Sequence, residues 1–317
     1  MSKPALRKPV VERAGTAARV PSRRGKPARS KLDVTWFAPL LAVATVFYLY
    51  PIFEVLRFSI TDASLIEQDY SYTLSTYKDA LGDEALPDIL RITGIFVVFS
   101  VIGQLVLGLL IALAVQRGTA RHLPGTVFVR SVVLCSWVMP GVVIGILWQI
   151  VLNDGNYGLV NSVLTTLGLP TVSFLATPTL ALVSVTIANI WRGTAFSMLL
   201  QYAGLQGINP ELYEAARVDG AGRWKSFWYI TLPQLRPIIL VNIILITIST
   251  LNTFDMVLAL TGGGPGQSTE ILSLFVYNSI FRNQDLASGS VLAVFLLLIS
   301  LLLTMGYRRL LSSEELR

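Results

Sequence analysis

Six apolar blocks, each about 20 residues long, recur along this chain, and they decide its architecture. They lie near residues 35–57, 92–115, 129–152, 179–203, 237–260 and 286–307. Each is long enough to cross about 30 Å of hydrocarbon as a helix. Backbone groups in lipid must pair within their own segment, so the blocks are expected to be helical. A transmembrane β-barrel would show short alternating strands instead, and none is legible. The whole chain is 53% hydrophobic and only 14% charged, against about a quarter charged in soluble domains. The expected fold class is an all-α membrane protein with six transmembrane helices, in a domain from 34 to 311. Asn189 and Arg192 interrupt the fourth block, and Pro140-Gly141 should kink the third.

Charge sets the expected orientation. Residues 1–33 hold ten Lys/Arg against Glu12 and Asp33, in a Pro-, Arg- and Ala-rich arm without aromatics until the first block. That arm is expected to be disordered and cytoplasmic, lying against anionic lipid rather than nucleic acid, and not to be a cleaved leader. Alternating from there puts twenty basic residues on the inside and three on the outside, with Arg57 and Arg192 within spans. This is a strong positive-inside asymmetry. It places both termini, including the tail 312–317, in the cytoplasm. The loop 59–91, with seven carboxylates, then lies outside.

The inside segment 209–233 is too polar and too patterned to be a mere connector. Asn209 can cap a helix, Pro210 suits its first turn, and Glu211 complements the positive end of its dipole. The helix should run to about Val218 and stop at Asp219-Gly220, with Gly220 left-handed. Ala215 and Ala216 keep its surface low beside Glu214. Trp224, Phe227 and Trp228 then form an apolar face at the membrane boundary, before Pro233 and Pro237 open the fifth span.

"EAARVDGAGRWKSFWYITLP" resembles the EAA loop of permeases from binding-protein-dependent ABC importers. The matching positions are Glu214, Ala215, Ala216, Asp219, Gly220, Ala221, Phe227, Ile230, Leu232 and Pro233. The stretches "PGVVIGILWQIVLNDGNYGLVNSVL", "IANIWRGTAFSMLLQYAGLQGINPELYEAA" and "FDMVLALTGGGPGQSTEILSLFVYNSIF" are similar to the carbohydrate branch of that family, in its compact maltose-permease form. The resemblance spans about 45 to 310. It implies a permease that receives a sugar or sugar-like solute from a periplasmic or extracellular binding protein, in a bacterial inner membrane. It implies a heterodimer with a second permease, resting on two copies of a cytoplasmic ATPase that docks on the EAA helix through Glu214, Ala215, Ala216, Asp219, Gly220 and Ala221. ATP and magnesium would belong to that ATPase.

The residues agree that chemistry lies elsewhere. No G-x-x-x-x-G-K-[ST] is present, so a P-loop nucleotide site is not expected. His122 is the sole histidine and Cys135 the sole cysteine. An intrachain disulfide and a His-based metal cluster are thus excluded, and a Ser-His-Asp triad is not expected. Cys135 is expected to be a small apolar filler. "TGGGPG" is read as an external turn. An enzyme is disfavoured, and the remaining alternative is a secondary transporter or channel, which would show inverted repeats. Candidate substrate-path residues are Asn189, Arg192, Asn252, Thr253 and Asp255, because polar groups at membrane depth face an interior path or a partner charge. An Arg192–Asp255 pair is the structural alternative for those two. Asn252 and Thr253 match the fifth-span sugar position by resemblance. Trp148 and Trp191 are expected to anchor helices at the interface.

Overall fold

The computed structural model describes residues 32–312, apart from residues 68 and 156. Most of the basic arm and the last five residues of the tail lie outside the described residues. Packing divides the chain into two units, up to Pro51 and from Ile52 onward. The first unit holds α1 (Leu32–Ala44) and a π-helical turn, Thr45–Leu49. Helix α2 (Tyr50–Phe58) starts there and continues into the second unit.

Apart from an isolated bridge between Thr61 and Tyr72, the regular elements of the second unit are all helices among the described residues. It contains α3 (Ser75–Leu81), α4 (Leu86–Ala120), α5 (Thr126–Val138), α6 (Gly141–Val151), α7 (Leu159–Thr166) and α8 (Pro178–Gln206). Then come α9 (Pro210–Val218), α10 (Arg223–Ser226), α11 (Leu232–Leu251), α12 (Asp255–Leu260), α13 (Leu272–Phe281) and α14 (Leu286–Ser312). Among the described residues, four helices are long and apolar enough to cross a membrane: Phe37–Phe58, Leu86–Ala120, Arg223–Leu251 and Leu286–Tyr307. The pair α5 and α6 makes a fifth if counted as one span. Helix α8 has the length, at 29 residues, but Asn189, Arg192 and Gln201 dilute its apolar character. The expected count of six therefore turns on α8.

Two expected spans are broken. Helices α5 and α6 meet at 107°, which is a corner and not the kink expected in the third block. Pro140 offers no N–H and drives Met139 into extended backbone, φ −71° and ψ 134°, so the hydrogen-bond ladder stops there. The fifth block breaks at Asn252. The Asn252 amide donates back to the Ile248 carbonyl at 2.8 Å, and the Thr253 hydroxyl to Ser249 at 2.9 Å. Such side chains compete with the helical ladder, and the helix resumes only at Asp255.

One expected break is absent. Pro233 and Pro237 do not separate the loop from the fifth span, because the helix runs unbroken from Arg223 to Leu251. A π-turn at Phe227–Thr231 precedes them, with the Leu232 N–H reaching the Phe227 carbonyl five residues back. Widening the turn here accommodates prolines that lack a donor.

Close packing depends on glycine. A Cβ at Gly103 would strike Ile190, at Gly108 it would strike Ser197, and at Gly193 it would strike the Gln104 amide. Helices α4 and α8 therefore approach closely, as helices do in lipid where dispersion contacts replace the hydrophobic drive. Phe96, Val185, Met256 and Leu274 fill one core; Ala112, Met198, Leu205 and Leu235 fill another nearer the 209–233 loop. At the opposite end the loop that follows α2 is bonded to the start of α14. Leu65 and Ala287 form backbone bonds with Gln284 and Ala63 at 2.9 Å. Cys135 is exposed on α5, so it is not the packed filler expected.

Candidate functional site

Helix α9 is built as the sequence anticipates. Asn209 Oδ1 accepts the Glu211 N–H at 3.0 Å, and its amide donates to the Glu211 carboxylate at 3.1 Å. Pro210 occupies the first turn. At the far end the Ala221 N–H bonds the Ala216 carbonyl at 2.8 Å, and the Gly220 N–H bonds Arg217 at 3.1 Å. That pair of bonds is a Schellman stop, and Gly220 takes φ +74° to make it. None of α9's residues is buried. Glu214 is exposed beside Ala215, and its contact with Arg217 is a loose 3.7 Å. Ala216 and Ala221 are half-buried and Asp219 is exposed. The result is a short helix stopped at both ends and standing clear of the bundle.

It is not loosely hung. The Tyr213 hydroxyl bonds the Thr231 hydroxyl at 2.9 Å, which ties α9 to the π-turn below α11. Trp224, Phe227 and Trp228 pack edge to face on one another, with centroids 6.4 and 5.3 Å apart. Trp224 stays 74% exposed and Trp228 55%, so the aromatic face meets the surroundings and not the bundle.

The substrate-path candidates divide. Asn189 is buried. Its amide donates to Thr250 Oγ1 at 3.4 Å, and its backbone carbonyl accepts from Gln104 at 3.5 Å. Thr253 is buried and engaged with its own helix. Both side chains are bonded within the chain. Asn252 is exposed at the helix break. Arg192 and Asp255 form an ion pair at 3.3 Å, with about a third or less of each side chain exposed. The Asp255 carboxylate lies over Gly141, where a Cβ would collide with all three of its terminal atoms. Gly145, one turn on, packs against Ala259 and the Met256 carbonyl in the same way. Helices α6 and α12, the two short pieces left by the broken spans, are thus sealed together through glycines four residues apart. Trp148 and Trp191, expected as interface anchors, pack edge to face at 6.3 Å beside this seam, with Trp191 still 41% exposed.

The sequence reading missed a second polar node. Ser197 Oγ accepts from Gln201 at 2.9 Å and from Asn242 at 2.7 Å, and Gln201 also donates to the Leu105 carbonyl at 3.1 Å. These bonds join α4, α8 and α11. The available signal was the polar stripe Asn189, Ser197 and Gln201 along one apolar block. Gly141 and Gly145 were visible too, as a small-xxx-small pair. The "TGGGPG" segment is the turn expected. Thr269 sits inside it, with its hydroxyl bonded to Thr261 at 2.7 Å and to the Gly264 carbonyl at 2.8 Å. Among the described residues, no three His, Cys, Asp or Glu side chains gather as metal ligands.

The comparisons agree with this geometry. Residues 104–313 match the family described as "Binding-protein-dependent transport system inner membrane component". The chain is 35% identical to the trehalose/maltose transport system permease protein MalF of Thermococcus litoralis, covering 89% of this chain and 94% of that protein. It is 31% identical to the sulfoquinovosyl glycerol transport system permease protein SmoG of Agrobacterium fabrum, covering 90% and 91%. A crystal structure of a bacterial ABC transporter involved in the import of the acidic polysaccharide alginate superposes with a TM-score of 0.74. That match has 22% identity and covers 88% of this chain and 95% of that one. The chain belongs to the family of binding-protein-dependent transport system inner membrane components, and it is an inner-membrane permease subunit of an ABC importer.

Proposed function

We propose that this permease passes a sugar or sugar-like solute from an external binding protein to the cytoplasm. ATP hydrolysis, with its magnesium, is supplied by a separate ATPase that docks on α9. The observation that carries the reading is the capped, exposed α9 with Glu214 on its surface, fixed by Tyr213 to the helix that begins at Arg223. Relatives named for trehalose/maltose and sulfoquinovosyl glycerol support the substrate class. Helix α8 is the sixth span, and both termini are cytoplasmic. Glu214, Ala215, Ala216, Asp219, Gly220 and Ala221 form the docking knob. A single knob per chain and a two-groove ATPase dimer call for two permeases, and the similarity to a maltose-type permease favours a second, different one over another copy of this chain. Asn252 faces the solute path at the helix break, with the Arg192–Asp255 pair beside it.

The test is reconstitution. Proteoliposomes holding this permease with its neighbouring permease, ATPase and binding protein should take up sugar only with ATP. Glu214→Ala should abolish or slow uptake at equal permease content. Uptake at the unaltered rate with ATPase still bound would remove α9 from the mechanism. Reporter fusions at residues 165 and 222 should read external and cytoplasmic.

A further inference from the structure

Four arginines line one cavity at the loop end of the second unit. The cavity, about 280 Å³, lies between the end of α4 and the turn joining α9 to α10. Arg117 and Arg121 come from the end of α4, Arg217 from the last turn of α9, and Arg223 from the start of α10. No carboxylate is among the lining residues. Glu214, the acid that approaches one of these arginines, is 3.7 Å from Arg217 with both side chains about two-thirds exposed or more. A contact of that kind is weak. Four like charges on one void repel, and an anion placed among them relieves the repulsion. The cavity wall adds hydroxyls in fixed positions, since Tyr213 and Thr231 are bonded to each other at 2.9 Å. The exposed rings of Trp224 and Tyr229 stand in the same short segment, and such aromatics settle at headgroup level.

We propose that this cavity binds a phosphate group. Guanidinium forks match phosphate oxygens in bidentate pairs, which lysines cannot do. The phosphate can come from an anionic phospholipid headgroup or from a soluble phosphate. On the orientation proposed above this end meets the negatively charged cytoplasmic leaflet. A bound phosphate bridges α4 to both sides of the α9–α10 turn. It therefore stiffens the mounting of α9 and makes the permease's output depend on the anion.

The full-length permease would be placed in nanodiscs of pure phosphatidylcholine or of phosphatidylcholine mixed with phosphatidylglycerol. Nanodiscs expose both faces, so the result does not depend on orientation in the cell. The cavity pair Arg117→Gln/Arg217→Gln would be compared with Arg130→Gln/Lys225→Gln, which removes the same charge from the same end outside the cavity. Arg117 and Arg217 are exposed, so glutamine there leaves the core intact. Native mass spectrometry should show phosphatidylglycerol retained by the wild type and by the control pair. The cavity pair should lose it by about fivefold per guanidinium removed. Alternatively, inorganic phosphate should raise the thermal midpoint in pure phosphatidylcholine, again only while Arg117 and Arg217 are present, and the source is then soluble. Equal losses in both pairs, or neither retention nor stabilisation in the wild type, overturns the site.

Discussion

Gly141→Ala should be costly only while Asp255 is present. A methyl at 141 would fall within collision distance of the Asp255 carboxylate, which Arg192 holds from the other side at 3.3 Å. The carboxylate must swing away or α6 must shift, and overpacking of this kind costs about 1–3 kcal/mol. Losing the ion pair adds little. Both side chains are about a third exposed, and such pairs contribute about 0–1 kcal/mol. Gly141 is the first residue of α6, so alanine's better preference for helix interiors returns little there. The net expectation is a loss of about 1–3 kcal/mol in the Asp255 background and about none in Asp255→Ala. The coupling between the two changes should thus be about 1–3 kcal/mol, well above additivity error. Gly145→Ala provides the contrast. Its methyl would meet the Met256 carbonyl and Ala259, which Asp255→Ala does not move. Thermal unfolding of the four purified permeases in one detergent gives the cycle. If Gly141→Ala costs the same in both backgrounds, the carboxylate is not what the glycine makes room for.

Other outcomes follow from single contacts. Gly220→Ala should cost about 1 kcal/mol through its φ of +74° alone, since open space surrounds the site, and Gly220→Asn should cost less; thermal midpoints compare them. Ser197→Ala should cost about 1–2 kcal/mol by stranding the Asn242 amide and removing one of the two bonds of the Gln201 amide, whereas Ser300→Ala, midway along α14, should be near neutral in the same assay. The Ser71 hydroxyl and N–H both donate to the Asp62 carboxylate at 2.6 Å, and they hold its pKa below the ordinary range. The lowered pKa makes its contribution complete above about pH 3.9, declining as pH falls below that and absent once below the folded value. Protection of the Ser71 amide, measured against its intrinsic exchange rate, should fall over that acid window, and Asp62→Asn should abolish this fall in protection.

What was legible in the sequence follows from the range of each interaction. The α9 caps are set by Asn209, Pro210 and Gly220 acting on their own backbone neighbours, so the pattern alone located them. Block positions followed from hydropathy, which is additive along the chain. The corner at Met139 and the break at Asn252 were harder. Pro140 announces an interruption but not its angle, because the angle is chosen by the Gly141–Asp255 seam, 114 positions apart in the chain. Prolines misled in the opposite direction at 233 and 237. The π-turn that absorbs them depends on local register and leaves no compositional mark. Asn189 carries polarity into a span, which signals a path or a pairing equally, and its bond to Thr250 joins positions too far apart in the chain for the sequence to announce it.

The unbroken helix from Arg223 to Leu251 has a mechanical meaning. Its 29 residues make a rod about 44 Å long. One end follows directly on the short turn that leaves α9, and the other ends at the Asn252 break. A tilt of about 10° about its midpoint displaces each end by about 4 Å in opposite directions. A hinge at Pro233 or Pro237 would have absorbed that motion. Without one, displacement of α9 arrives at Asn252 reversed in sign and undiminished in size, as along the arms of a seesaw.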